Sequence, residues 1–295
     1  MNSPGDSAVL VQQTFQNKSF LIQPITNDEF TTNDLSTKGR SIKRRQNAIA
    51  TISSTGRRNT FALSEAGKLY KMYRKDAVMR WAEVDTQGLL FRDIYAVENG
   101  LLTSTLFAVG KQDMQLYRYS SRKNVMELIS PDLTTKIKTI SAKTPKKVFA
   151  INHDGHLMYA NFLKHNTKWS QYQDIEMSSV KIGPKYLGKR EIWALGPDGT
   201  VFRLTHKSLV TLQFKFIDMC VCYRHDVFGL DLAGRLWKWN GSSGFNMCSG
   251  DAAQLSLLKV SPYRNNRLFG IDNYTGKVIM LEFAGDFIKV VKQVQ

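Results

Sequence analysis

Short apolar runs alternate with polar turns along most of this chain, and one phrase of that alternation occurs six times. Its fullest form runs from Val148 to Tyr159. An apolar run, Val148-Phe149-Ala150-Ile151, meets a polar turn, Asn152-His153-Asp154-Gly155-His156, and then a second apolar run, Leu157-Met158-Tyr159. An Asp-Gly pair between alternating hydrophobic residues predicts a β-hairpin, because glycine accepts the positive φ of a tight turn. The other copies begin at Phe61, Phe107, Trp193, Phe228 and Phe269. Each reads aromatic, small, aliphatic, a polar turn usually holding Gly, aliphatic, and usually aromatic again. The leading aromatics are 46, 42, 44, 35 and 41 residues apart. A strand-built period of roughly 40–45 residues predicts four-stranded propeller blades.

The flanking sequence completes the unit. A first strand is predicted before each hairpin, at Ala48–Ser53, Phe91–Val97, Ile137–Ser141, Ser179–Gly183, Phe214–Cys220 and Leu255–Ser261. A fourth follows it, as at Trp81–Val84, Trp169–Tyr172 and Phe287–Val291. The fold class expected is all-β: a six-bladed β-propeller of four-stranded antiparallel blades over residues 47–295, after an N-terminal extension with a basic linker over 1–46. The 35-residue spacing predicts one shortened blade. Two apolar stretches in the extension, Ser7–Phe15 and Lys18–Ile22, leave a seventh blade, or closure by an N-terminal strand, as the alternative. The small residue after each leading aromatic (Ala62, Ala108, Ala150, Ala194, Gly229, Gly270) points to the opposite strand face. It predicts close approach of a neighbouring blade there, with the aromatic filling its own side.

Composition narrows the classes. Hydrophobic residues make up 42% of 295, enough for a core, yet no run of about 18 apolar residues predicts a transmembrane helix. The first residues lack the basic and apolar regions of a signal peptide. Three cysteines, Cys220, Cys222 and Cys248, make a poor disulfide framework and suit small buried hydrophobes in a reducing compartment. The location expected is therefore intracellular, cytoplasmic or nuclear. No G-x-S-x-G elbow, phosphate-binding loop or H-E-x-x-H is present. His153-Asp154-Gly155-His156 falls on the repeated turn. Cys220-x-Cys222 with His225 lacks the four ligands of a zinc site. No enzyme, cofactor or metal is expected.

Two sets of residues stand out for binding. The formal charge is +16, and Lys38, Arg40, Lys43, Arg44 and Arg45 form the densest basic run. Arg57 and Arg58 form a pair, and Lys136, Lys138, Lys143, Lys146 and Lys147 a looser cluster. Such runs suit nuclear import or phosphate contacts, as in nucleic acid or another polyanion, and equally a solvated linker. The second set is aromatic: Trp237, Trp239 and Asn240, with Arg80-Trp81 and Lys168-Trp169. An exposed Trp beside polar groups is a sugar platform, whereas a buried one closes packing between blades.

With these residues in view, the copies resemble the repeats of the tectonin / tachylectin-type β-propeller family. Ile192-Trp193-Ala194-Leu195-Gly196-Pro197-Asp198-Gly199-Thr200-Val201-Phe202-Arg203 is most similar to its motif, followed by Val148–Tyr159 and Val227–Trp237. Five of the six copies have Phe where that family has Trp, and the Gly-turn hairpin also resembles chromosome-condensation-regulator-type repeats. The resemblance implies a ring-shaped, non-catalytic binding protein. Its partner, a protein or other macromolecule, is expected at loops on the ends of the ring. The alternatives are a lectin holding a glycan between blades and a polyanion binder using the basic clusters.

Overall fold

The computed structural model describes residues 48–55, 59–75, 78–98, 104–120, 125–163, 167–182, 192–205, 208–222, 226–264 and 266–294. The N-terminal extension and the strands expected in it lie outside the described residues.

Six antiparallel blades follow one another in chain order. Blade 1 holds β1 (Ile49–Ser54), β2 (Thr60–Ser64), β3 (Leu69–Lys75) and β4 (Val78–Glu83). Blade 2 holds β5 (Phe91–Glu98), β6 (Ser104–Gly110), β7 (Leu116–Ser120) and β8 (Val125–Leu128). Blade 3 holds β9 (Ile137–Thr144), β10 (Lys147–Asn152), β11 (Leu157–Asn161) and β12 (Ser170–Gln173). Blade 4 holds β13 (Ser179–Ile182), β14 (Ile192–Leu195), β15 (Thr200–Leu204) and β16 (Leu209–Lys215). Blade 5 holds β17 (Asp218–Val221), β18 (Val227–Leu230), β19 (Leu236–Trp239) and β20 (Phe245–Met247). The chain then makes a two-residue strand, β21 (Ser249–Gly250), before blade 6: β22 (Leu257–Arg264), β23 (Arg267–Asp272), β24 (Val278–Ala284) and β25 (Phe287–Val294). β21 pairs in parallel with β25, so the outer edge of blade 6 is covered by the tail of blade 5.

The six first strands, β1, β5, β9, β13, β17 and β22, are neighbours in sequence around the axis, and β22 returns to β1. Six apolar clusters fill the six gaps between blades. Phe61 points forward into the gap with blade 2, while Ala62 points back into the gap with blade 6. Phe107 and Ala108, Phe149 and Ala150, and Trp193 and Ala194 divide in the same way. All four alanines are fully buried. In blade 5 the small residue is Gly229, where an added Cβ would stand 2.3 Å from the Phe216 ring. Each blade thus carries one dipeptide that serves both of its gaps: a large side chain forward, a small one backward.

One sequence expectation changes. Phe214–Cys220 is not one strand. Phe214 and Lys215 end β16, Phe216 donates its N–H to Gly199 O (2.9 Å), and β17 starts at Asp218. The 35-residue spacing reflects a two-residue crossing, Phe216–Ile217, followed by the shortest blade, Asp218–Met247, which still keeps all four strands.

Candidate functional site

The first strands enclose a narrow central channel with a cavity volume of about 40 Å³. Polar residues at alternate positions of these strands line it and bind blade to blade. Ser53 Oγ accepts from Ala96 N (2.7 Å), Asp93 Oδ2 from Ile140 N (2.9 Å), Ser141 Oγ from Ile182 N (3.0 Å) and Asp218 Oδ2 from Val260 N (3.0 Å). Each bond runs from one blade to the next. Tyr95 reaches further and donates its hydroxyl to Ile182 O (2.6 Å), and burial holds its phenol above the ordinary value. Lys181 Nζ stands 3.6 Å from Asp218 Oδ1, with Lys259 Nζ at 3.8 Å from the same oxygen. Burial works against the Lys181 charge, but the carboxylates of Asp218 and Asp93 outweigh it and keep the ammonium protonated. Both channel carboxylates are thus spent on neighbouring strands. Sequence reading missed this set. Its signal is a residue paired directly with the leading aromatic, Ser53 with Phe61 and Ser141 with Phe149, which is polar although its strand is buried.

The two ends of the ring differ. One, the glycine end, carries the turns between second and third strands. There Gly67, Gly155, Gly199 and Gly234 have φ between +74° and +91°, and each carbonyl accepts an N–H at or just before the start of the next blade (Phe91, Met177, Phe216, Leu257) at 2.8–2.9 Å. Blade 2 uses Met114, at φ 56°, for the same bond to Ile137 N. Aspartates cap these turns and the links between blades. Asp198 Oδ1 accepts from Thr200 N, Asp231 Oδ1 from Ala233 N and Arg235 N, Asp272 Oδ1 from Thr275 N, and Asp132 Oδ1 from Thr135 N. At the other end lie the connections joining first to second and third to fourth strands, where among the described residues Asn161 and Asn240 cap their own loops. In the sequence these connections carry twelve Lys and Arg against four Asp and Glu. Ten of those twelve lie outside the described residues, and the two described are Lys146 and Lys168.

The structure separates the expected basic residues. Lys136 sits at the glycine end and donates to Asp113 O (3.1 Å), while β9 carries the chain across to Lys143, Lys146 and Lys147 at the opposite end. Lys138 lies between them on β9. Exposed Lys168 joins the second group, since Phe162 N bonds Lys146 O (2.8 Å) and holds the two connections of blade 3 side by side. Lys38, Arg40, Lys43, Arg44, Arg45, Arg57 and Arg58 lie outside the described residues, as does His225.

The tryptophans go to different gaps. Trp169 (9% exposed) packs between blades 2 and 3. Trp239 (7%) meets Trp193 and Phe245 edge-on between blades 4 and 5, under the Arg203 guanidinium at 5.3 Å. Trp81 is half-buried between blades 6 and 1, beside exposed Arg80. Trp237 is half-buried and donates Nε1–H to Asp231 Oδ2 (3.0 Å). Asn240 Oδ1 accepts three backbone N–H groups, from Ser242, Ser243 and Gly244, and so caps its own loop. Trp237 packs in the same gap as Trp239, while Trp81 and Trp169 lie in two others. His153 and Asp154 are exposed on the turn, and all three cysteines are buried and free. Among the described residues no helix is long and apolar enough to cross a membrane, and no three His, Cys, Asp or Glu side chains are placed to hold a metal ion.

No protein-family model matches the chain, and no curated protein matches it in sequence. Solved structures match its shape. Virginiamycin B lyase from Staphylococcus aureus is 7% identical, with a TM-score of 0.57 over 84% of this chain and 85% of that one. AofleA from Arthrobotrys oligospora is 11% identical, with a TM-score of 0.57 over 85% and 88%. YCF48 bound to D1 peptide is 11% identical, with a TM-score of 0.53 over 83% and 81%. At these identities the likeness is one of fold, and the fold is the six-bladed β-propeller.

Proposed function

We propose that this chain is a non-catalytic interaction scaffold whose partner is a polyanion, docked on the end of the ring opposite the glycine turns. The observation that carries the reading is the separation of charge between the two ends. Aspartates placed as turn caps fix negative charge at the glycine end. The connections of the other end hold the basic excess, with Lys146, Lys147 and Lys168 on blade 3 among the contacts. A charge separated in this way steers a ligand of opposite sign to one end. The non-catalytic half of the reading rests on Asp93 and Asp218, each already bonded to a neighbouring strand and so ill-suited to proton transfer. YCF48, a ring of this shape with a peptide bound, is consistent with a scaffold role.

The test is binding of a heparin oligosaccharide and a single-stranded oligonucleotide, followed by fluorescence anisotropy between about 50 and 200 mM salt. Affinity should fall steeply with salt. The triple variant Lys146→Gln, Lys147→Gln, Lys168→Gln should bind about tenfold or more weakly, with a shallower salt slope. No binding at the lowest salt, or binding indifferent to salt, overturns the reading. So does a glycan array in which a neutral sugar binds and the polyanions do not.

A further inference from the structure

The blade 5–6 gap holds a pair of thiols that the scaffold reading does not use. Cys220 lies on β17 and Cys222 follows its end, so strand alternation turns both to one face. Their sulfurs stand 3.9 Å apart, and the residues are 2% and 1% exposed. Cys220 also lines the central channel, together with Tyr95, Lys181 and Asp218. We propose that Cys220 and Cys222 form a two-thiolate site for a soft d10 cation of the Cu(I) type, reached along the channel.

The geometry suits chelation without rebuilding the strand. Two metal–sulfur bonds of about 2.3 Å reach about 4.6 Å between sulfurs, so opening the pair by about 0.7 Å gives the near-linear arrangement of a two-coordinate d10 ion. Coordination number then selects the ion. No third His, Cys, Asp or Glu is grouped with the pair among the described residues, so a cation that needs four ligands is poorly served. Thiolates select Cu(I), which accepts low coordination. Asp218 is not a competing ligand, because its oxygens already serve Val260 N, Lys181 and Lys259. The Lys181 ammonium in the same channel offsets the negative charge of a bis-thiolate complex. The mutual S–H···S contact, then burial, holds the Cys220 thiol well above its ordinary value. Binding must therefore displace protons. Each S–H gives its proton to buffer as an S–Cu bond forms, two protons per ion, with no change in oxidation state. The third thiol, Cys248, packs in the same gap, and burial pushes it up to about 12.

The test uses the whole reduced protein, titrated anaerobically with Cu(I) held by a coloured chelator. One equivalent should move from chelator to protein, with release of two protons. Alkylation under denaturing conditions, read by mass spectrometry, should then find Cys248 labelled and Cys220 and Cys222 protected, a readout that needs no variant to fold. Cys220→Ser and Cys222→Ser should each abolish the transfer, and Cys248→Ser should retain it. Failure of the unaltered protein to take copper from the chelator overturns the proposal, as does protection of Cys248 in place of the pair.

Discussion

Gly199 does two jobs at once. Its φ of +82° closes the turn, and a Cβ there would stand 2.7 Å from Phe216 O, the residue whose N–H bonds the glycine carbonyl. Gly199→Ala should therefore cost about 1–3 kcal/mol, from a strained backbone and a pushed neighbour, measured as a drop in the urea midpoint at unchanged m. The capping aspartates predict a pH dependence. Burial works against the Asp231 carboxylate, but the N–H groups of Arg235 and Trp237 outweigh it and hold its pKa below the ordinary value. Bonds from Thr135 and Thr134 likewise outweigh partial burial at Asp132. A carboxyl with a depressed folded pKa stabilises the fold above its unfolded pKa of about 4 and loses that contribution as pH falls through the folded value. Urea midpoints should thus hold steady from neutral pH to about pH 5 and decline below about pH 4, and Asp231→Asn should flatten part of that decline.

The first strand is the element that makes blades into a ring, and its polar side chains are the fasteners. Asp218 is 3% exposed and answers to Val260 N, Lys181 and Lys259 together. Asp218→Ala leaves a largely buried ammonium without its partner and an inner-strand N–H without its acceptor. The expected loss is about 3 kcal/mol or more, against about 1 kcal/mol for Ser141→Ala, which removes one neutral hydrogen bond. Denaturant melts of the two variants side by side check the ranking. The second strand sets the spacing between blades. Ala150→Leu places three extra carbons in the gap between blades 2 and 3 and should cost about 1–3 kcal/mol by overpacking, read in the same way. An unchanged melt would contradict the forward-large, backward-small arrangement.

At the scale of the molecule, the described ring closes by packing. Blade 6 is built wholly from C-terminal strands, and its gap with blade 1 is filled by Ile52, Ala62 and Met72 against Phe269, Ile271 and Met280. The last strand therefore carries much of the closure. Ile288 of β25 is fully buried in the blade 5–6 gap, Val294 in the gap with blade 1, and β25 also anchors β21. A chain ending at Ala284 should lose cooperative unfolding and near-ultraviolet circular dichroism, with aggregation through the bared edge of β24. The charge difference between the ends belongs to this scale too. It is read from the sequence of the connections, since strand order assigns the capping aspartates to one end and the Lys- and Arg-rich links, most of them outside the described residues, to the other.

The repeated hairpin phrase, its period and the aromatic-small dipeptide are local patterns, and they determined six repeated units, the strand order within each and which side chains lie on opposite strand faces. A period-two pattern also placed His153 and Asp154 on a turn and put Cys220 and Cys222 on one face. What lies across a gap is not local. Tertiary structure alone decided that Trp169 and Trp239 are packing residues, that β9 parts Lys136 from Lys146, and that Asp93, Asp218 and Lys181 meet in one channel. Each of those relations joins residues on separate strands or blades. Propensity and alternation fix how a strand faces its own sheet, whereas position around the axis depends on how six sheets pack together.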